Sequence, residues 1–361
     1  MVFEVFICLL FAGACLVQVF FLLYFIHPLR KNTPPVSNSC LPLTILVVGR
    51  NERTNLERLL PRLANQQYPD FDIHLVDDAS EDGTPEMVRE LMLRFPLIRL
   101  HVLPEHSGKK KALETGLQFL DRELVLLTDA DCLPASEKWI SLMVEALRPG
   151  SDAVLGYSPY VMQEGRLNEV IRLETAYTAA LYFGFAQKNL SYMGVGRNLL
   201  YRRKALVNAF RPDAHQGLKS GDDDLTIQEL SRKRRLNYRY DPPSWVYSRP
   251  EKNWKAWLDQ KKRHVGTARH YRPLHQVLLL MWYGSFTGTW IFGLLAAFRF
   301  PLILLLWIGF RGIGFLLILR PMLVTFGVPL PFRKWLSAEG IYVAVLLYLF
   351  PFSTFKKWDK W

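Results

Sequence analysis

Short apolar runs alternate with amphipathic stretches between residues 41 and 161, and long uncharged apolar runs stand towards both ends of the chain. The inner pattern predicts strands over 43–48, 73–76, 98–103 and 124–128, with helices over 54–65, 85–95 and 110–120 between them. Alternating strands and helices, with the strands apolar throughout, predict an α/β fold: a mostly parallel sheet covered on both faces. Ligands of such sheets bind beyond the carboxyl ends of the strands. Three of the predicted strands run into polar or acidic residues there: Arg50, Asn51 and Glu52; Asp77 and Asp78; Asp129 and Asp131.

The terminal runs predict membrane helices. Residues 2–26 are almost uncharged and long enough to span a bilayer. They lack the basic start, and exceed the core length, of a cleaved signal. Arg30 and Lys31 follow directly, which places that end of the helix, and the domain after it, in the cytoplasm. The expectation is a multi-pass protein of a bacterial inner membrane. Residues 276–298 and 301–319 predict further crossings, 340–352 a shorter one, and 322–330 an interfacial or re-entrant piece. Three late crossings would leave the C-terminus outside, whereas Lys356, Lys357 and Lys360 favour inside, so two or three remain open. Arg311 interrupts an apolar run, where a cation is costly. It either pairs with a lipid phosphate or lies near an interface. The expected organisation is an anchor at 1–28, a linker at 29–41, a soluble domain at 42–245, an amphipathic interfacial segment at 246–274 and a membrane region at 275–361.

The 361 residues carry a net charge of +12, with much of the excess between Arg232 and Arg272. No nucleic-acid motif accompanies it, and its place beside apolar segments suits anionic lipid headgroups. Trp254, Trp257 and Leu258, with Lys255, Lys261, Lys262 and Arg263 around them, read as a helix on the membrane surface. The four cysteines show neither metal spacing nor a disulfide framework.

Alternate residues of an extended stretch point the same way, so Asp129 and Asp131 can hold Mg²⁺ or Mn²⁺ on one side, with substrate phosphates completing the shell. A solvated loop with two acids is the plainer reading of the triplet alone; its position at the end of a buried strand favours the metal. Asp77 and Asp78 end a second strand ahead of Gly83, where they serve a capped turn, a nucleoside or both. His106, Ser107, Gly108, Lys109, Lys110 and Lys111 open a helix whose amide groups and lysine suit phosphate, or simply form a basic face. Asp222, Asp223 and Asp224 follow Gly221 at a helix start. Acids complement the helix dipole there, but three together also repel, which raises one pKa towards a proton-accepting role.

Taken in order, these residues resemble the family 2 glycosyltransferases of the GT-A fold, in the membrane-embedded branch. The resemblance covers residues 42–270. It rests on Arg50-Asn51-Glu52 after the first strand, Asp77–Thr84, the Gly108-Lys109 segment, Asp129-Ala130-Asp131, Gly196-Arg197-Asn198, Gly221–Leu225, and the stretch from Gln260 to His264. It implies an inverting transferase with a nucleotide-sugar donor, a uridine diphosphate sugar foremost, and a lipid or lipid-linked glycan acceptor. In that reading Glu52 and Asp78 bind the nucleoside, and Lys109 and Arg263 the diphosphate. Asp131 and Asp129 hold the metal, and Asp223 is the base beside Asp222. Asn198 lies near the sugar, and Gln260 shapes the acceptor side. Asp222 replaces the usual glutamate, and His264 stands where processive synthases carry tryptophan, which weakens the alternative of a polysaccharide synthase. A non-catalytic scaffold that binds nucleotide sugars is the alternative of another class.

Overall fold

The computed structural model describes residues 2–30, 40–210 and 221–354. The linker core and Lys356, Lys357 and Lys360 therefore lie outside the described residues. In chain order the helices and strands are α1 (Val2–Phe21), β1 (Leu43–Gly49), α2 (Arg53–Ala64), β2 (Phe71–Asp77), α3 (Thr84–Arg94) and β3 (Ile98–Val102). Next come α4 (Lys109–Gln118), β4 (Leu124–Asp129), β5 (Leu133–Pro134), α5 (Trp139–Glu145), β6 (Ala153–Leu155) and α6 (Arg166–Gln187). Then follow β7 (Leu199–Arg202), α7 (Arg203–Ala209), α8 (Asp222–Ser231), β8 (Asn237–Tyr238), β9 (Val246–Tyr247) and α9 (Trp254–Thr267). The chain continues through α10 (Pro273–Arg299), α11 (Pro301–Gly314), α12 (Arg320–Thr325) and α13 (Phe332–Thr354). The four strands and three helices expected between residues 43 and 128 are all present, within a few residues of their predicted bounds.

These elements form two compact units: Thr33–Val161 with Ser191–Arg249, and Met1–Asn32 with Met162–Leu190 and Pro250–Trp361. The first contains a seven-stranded sheet in the order β3-β2-β1-β4-β7-β6-β8. Strands β1 to β4 are mutually parallel, β7 runs antiparallel to β4 and β6, and β8 lies parallel to β6. One face buries Leu43, Ile45, Val47, Ile73, Leu75, Leu124 and Leu126 against α2, α3 and α5. The other carries α4, whose Gly116 lies so close that a Cβ would fall 2.8 Å from Val76 and 3.1 Å from Leu46. The register sets Gly49 level with Asp77, and Val48 level with Asp129. The polar strand ends therefore share one edge, at the β1–β4 junction where the strand order reverses direction.

The second unit is helical. Among the described residues, three helical stretches are long and apolar enough to cross a membrane: Phe3–Leu29, Pro273–Phe298 and Pro301–Thr325. Helix α1 packs along α10, with Gln18 donating from Nε2 to Ser285 Oγ (2.8 Å) and the Trp282 carbonyl (3.2 Å). Residues 162–190, expected within the soluble domain, belong here instead. Helix α6 is apolar around most of its circumference and packs against α13. The piece expected at 340–352 is part of the longer α13, and the one at 322–330 begins as the short helix α12.

Arg311 is buried and ion-paired with Glu339 of α13. Its guanidinium lies 5.2 Å from the Trp335 ring centre and 5.5 Å from that of Trp290. Tyr177 donates to Glu339 (2.8 Å) and accepts from Trp335 Nε1 (2.6 Å). A protein carboxylate thus neutralises the cation, where a lipid phosphate or an interface was expected.

Two lysines of α9 also depart from the basic, lipid-facing surface expected of it. Lys261 pairs with Glu174 at 2.5 Å and Lys262 with Asp259 at 2.9 Å, and both are largely buried. Trp257 is fully buried, and α9 packs against α13. Gln260 and Arg263 lie on this helix, where Gln260 Oε1 is a buried atom with no hydrogen-bond partner.

Candidate active site

The loops after β1 and β2 lock together at the polar edge of the sheet. Asn51 adopts a left-handed conformation (φ 56°), as does Ala79 (φ 55°). The Asn51 amide donates to Ser80 Oγ (2.8 Å), and its side-chain oxygen accepts from the Glu81 amide (2.9 Å). Asp77 accepts from Ser80, so it serves the turn. Asp78 is 2% exposed, and both of its oxygens are engaged by the loop before α4. It accepts from the Ser107 amide (2.8 Å) and the Gly108 amide (2.9 Å), and contacts His106 Nδ1 at 2.8 Å. Those bonds outweigh the desolvation that would raise its pKa and hold the carboxyl below its ordinary value. Asp78 therefore fastens the 106–108 loop; its direct nucleoside contact was the sequence expectation, and its oxygens are already committed.

That loop launches Lys109 towards the end of β4. Its ammonium reaches Asp129 Oδ1 at 2.5 Å, and Lys110 reaches Asp222 at 3.1 Å. The turn from Asp129 to Cys132 is tight, the Cys132 N–H donating to the Asp129 carbonyl at 3.2 Å. It gathers Asp129, Asp131 and Cys132 so that their donor atoms lie within 4.8 Å of one another. Two carboxylates on one turn are oxygen donors of the kind that a hard divalent cation takes, so the residues fit the Mg²⁺ or Mn²⁺ that the sequence implied. Glu52 lies in the same field. Desolvation, with Asp131 and Asp129 adding to it, raises its pKa, while Asn55, which donates to it at 2.6 Å, opposes the rise.

Asp223 comes from the first turn of α8. Desolvation pushes its carboxyl up to about 6, helped by Asp129 and Asp222 and opposed by Lys109 and the Gly196 amide. Asp129 moves the other way: burial would raise it, but Lys109 and then Arg197 hold it below the ordinary range. Two neighbouring carboxylates held apart in this way are suited to different tasks, one to stay charged and one to exchange a proton near neutrality.

Residues 196–198 pack against this cluster. Gly196 leaves no room for a side chain, since a Cβ would stand 2.0 Å from Asp223 Oδ2. Arg197 donates from Nε to Ser158 Oγ (2.6 Å) and lies over the Tyr160 ring, within the field of Asp129 and Asp131. Asn198, expected near the sugar, is fully buried. Its amide donates to the carbonyls of Tyr157 (2.8 Å) and Ser244 (3.0 Å) and accepts from Trp139 Nε1 (2.9 Å). With its bonding atoms taken up inside the fold, Asn198 positions the strand and does not face a ligand.

The sequence reading gave no role to Arg197, Gly196 or Cys132. Arg197 and Gly196 stood in the Gly196-Arg197-Asn198 stretch, whose resemblance was the signal for them; Cys132 counted only among four cysteines with neither metal spacing nor a disulfide framework.

The sheet order sets carboxylates and a lysine at its switch point, the edge at which sheets of this kind bind their ligands. The family model described as glycosyl transferase family 2 matches residues 44–210, and this segment is a family 2 glycosyltransferase domain.

The chain is 26% identical over 212 residues to the glycosyltransferase AglE of Haloferax volcanii, covering 56% of this chain and 66% of that protein. It is 31% identical over 122 residues to a dolichol-phosphate mannosyltransferase of Pyrococcus furiosus, covering 34% of each. It is 32% identical over 101 residues to a beta-monoglucosyldiacylglycerol synthase of Trichormus variabilis, covering 26% of this chain and 21% of that protein. The chain thus spans at most 66% of the length of these three curated relatives. In fold it is similar to the mannosyltransferase PcManGT from Pyrobaculum calidifontis, solved with GDP-Man and Mn²⁺. The TM-score is 0.62 at 21% identity, over 94% of this chain and 98% of that one.

Proposed function

We propose that this protein is a membrane-anchored, inverting glycosyltransferase that moves a sugar from a nucleoside diphosphate donor to a lipid or lipid-linked acceptor. The carrying observation is the cluster at the sheet edge, where Lys109 meets Asp129 at 2.5 Å, Asp131 shares its turn, and burial raises the neighbouring Asp223 carboxyl. Asp223 takes the proton of the acceptor hydroxyl as that oxygen attacks the anomeric carbon. Attack and departure on opposite faces invert the configuration. Lys109 exchanges its contact with Asp129 for the donor diphosphate, and Arg263 serves the same group. Glu52 faces the nucleoside across a loop that Asp78 holds in place. Asp222 keeps Lys110 beside the site, and Gln260 contributes to the acceptor side. Asp131 and Asp129 would hold Mg²⁺ or Mn²⁺, which neutralises charge on the departing diphosphate.

The anchor at 1–28, the catalytic domain at 42–161 with 191–245, the segment at 246–274 and the membrane region at 275–361 form the proposed organisation, with the catalytic domain on the cytoplasmic side of a bacterial inner membrane. The three candidate spans support the anchoring. The relatives named for dolichol phosphate and for a glucosyldiacylglycerol support a lipid acceptor. A uridine diphosphate sugar remains the proposed donor, and guanosine diphosphate mannose is the first competitor, because the similarly folded mannosyltransferase was solved with it.

The test is a donor screen on the purified protein in lipid nanodiscs, read as nucleoside diphosphate release with and without polyprenyl phosphate or diacylglycerol. One donor should turn over, and a lipid acceptor should speed its release. Stoichiometric donor binding without release, across all acceptors, would reject transfer in favour of a scaffold.

A further inference from the structure

Two consecutive lysines open α4 and reach different neighbours. Successive residues stand about 100° apart around a helix. Lys109 meets Asp129 at the end of β4, while Lys110 meets Asp222 in the first turn of α8 at 3.1 Å. An ion pair in open solvent holds little. The side chains of this second pair are only 21% and 19% exposed, so water and salt screen it less.

The two ends of the bridge are held differently. On the α4 side, Ala112 and Leu117 are buried and Gly116 lies close against Val76 and Leu46. Asp78 fixes the Ser107 and Gly108 amides just ahead of the helix. The start of α8 has less apolar packing. It follows Gly221, which is left-handed (φ 94°), and its first buried residue is Leu225. Asp222, Asp223 and Asp224 come before that residue, and adjacent carboxylates repel. The Gly196 amide fastens this turn at Asp223, and Lys110 fastens it at Asp222.

We propose that Lys110 is a positioning residue for transfer: it grips Asp222, so that α4 sets the first turn of α8 and with it the place of the Asp223 carboxylate. The inference rests on the reading of Asp223 as the base. The two lysines then divide the work of one helical turn. Lys109 exchanges Asp129 for the donor diphosphate, and Lys110 stays with the protein. Use of Lys110 as a second cation on the diphosphate would take its ammonium away from three adjacent carboxylates.

The experiment compares wild type, Lys110→Met, Lys110→Arg, Asp222→Asn and the Lys110→Met/Asp222→Asn double variant, full-length in lipid nanodiscs. Thermal melts check folding, and Lys110→Gln replaces Lys110→Met if the latter does not fold. Nucleoside diphosphate release is measured with UDP-glucose, UDP-N-acetylglucosamine and GDP-mannose, and amide exchange over residues 222–225 without any donor. Lys110→Met should lower kcat on the order of 10- to 100-fold with the donor KM within about twofold, and speed exchange at 222–225. Lys110→Arg should restore most of both. Asp222→Asn should match Lys110→Met, and the double variant should fall no further than either single one. A raised donor KM at unchanged kcat, losses that add in the double variant, or unchanged exchange at 222–225 would overturn the proposal. Faster exchange in Lys110→Met, with no turnover of any donor by the wild type, keeps the tether and sinks the transferase reading. Wild-type turnover with neither rate nor exchange altered in Lys110→Met sinks this inference alone.

Discussion

Asp223 and Asp129 share the field of Lys109, yet they sit on opposite sides of the ordinary carboxylate value. A base with a pKa of about 6 is ionised at neutral pH and protonated in mild acid. The kcat/KM should therefore rise about tenfold per pH unit up to that value and then level. Asp223→Asn should lower turnover on the order of 10²–10⁴-fold. Its stability should move the other way. The folded pKa is raised, so the Asp223 contribution is fully present below the unfolded carboxylate value and is lost as pH rises through about 6. At pH 7.5 the Asn variant should melt at the same temperature or higher, and a large drop in Tm would count against the burial of that carboxyl. Gly196→Ala is the companion change. Its Cβ would stand 2.0 Å from Asp223 Oδ2, so the carboxylate must shift. A displacement of that order costs on the order of 10²-fold in rate, and the acid limb of the pH profile should move with it. An unchanged profile would show that Asp223 does not carry the limb.

Among elements, the loop from β3 to α4 is tied to the end of β2 by the Asp78 carboxylate and by the Leu103 amide, which donates to the Asp77 carbonyl. Asp78→Asn removes charge-assisted bonds to the Ser107 and Gly108 amides. The donor KM is expected to rise on the order of tenfold, with kcat less affected and faster amide exchange over residues 106–108. Equal KM in wild type and variant would remove the loop from donor binding. In the helical unit, Arg311→Met or Glu339→Leu alone leaves a buried charge uncompensated and should cost about 3–5 kcal/mol. The double variant should recover most of that loss, as read by thermal or denaturant melting in detergent. Four elements of the sheet were legible in the sequence because apolar strands between amphipathic helices have a period that survives any context, and their acidic ends mark the edge. Strands β5, β6, β8 and β9, of two or three residues each, were not, because no periodicity can be read from so few positions. The Arg311–Glu339 pair escaped for another reason: the two residues belong to separate helices and meet only through packing.

Across the whole molecule, the chain divides into a sheet-bearing unit with the candidate site and a helical unit with three membrane-length spans. The membrane part was legible from hydropathy alone. The return of α6 to the helical unit was not, since an apolar helix between two halves of a soluble domain reads equally well as core. The site was partly legible. Asp129, Asp131, Lys109 and Asp223 stood out by position, and they do meet around one carboxylate–lysine cluster. Asn198 stood out too, but its burial becomes visible only when Trp139, Tyr157 and Ser244 are seen to surround it.

The most direct measurement is nucleoside diphosphate release from the preferred donor by wild type, Asp131→Asn and Asp223→Asn in parallel, with Mn²⁺ and then with excess chelator. The account predicts release by the wild type with Mn²⁺, abolished by chelator, and loss on the order of 10²-fold or more in either variant. Undiminished release in chelator, or from both variants, would contradict it.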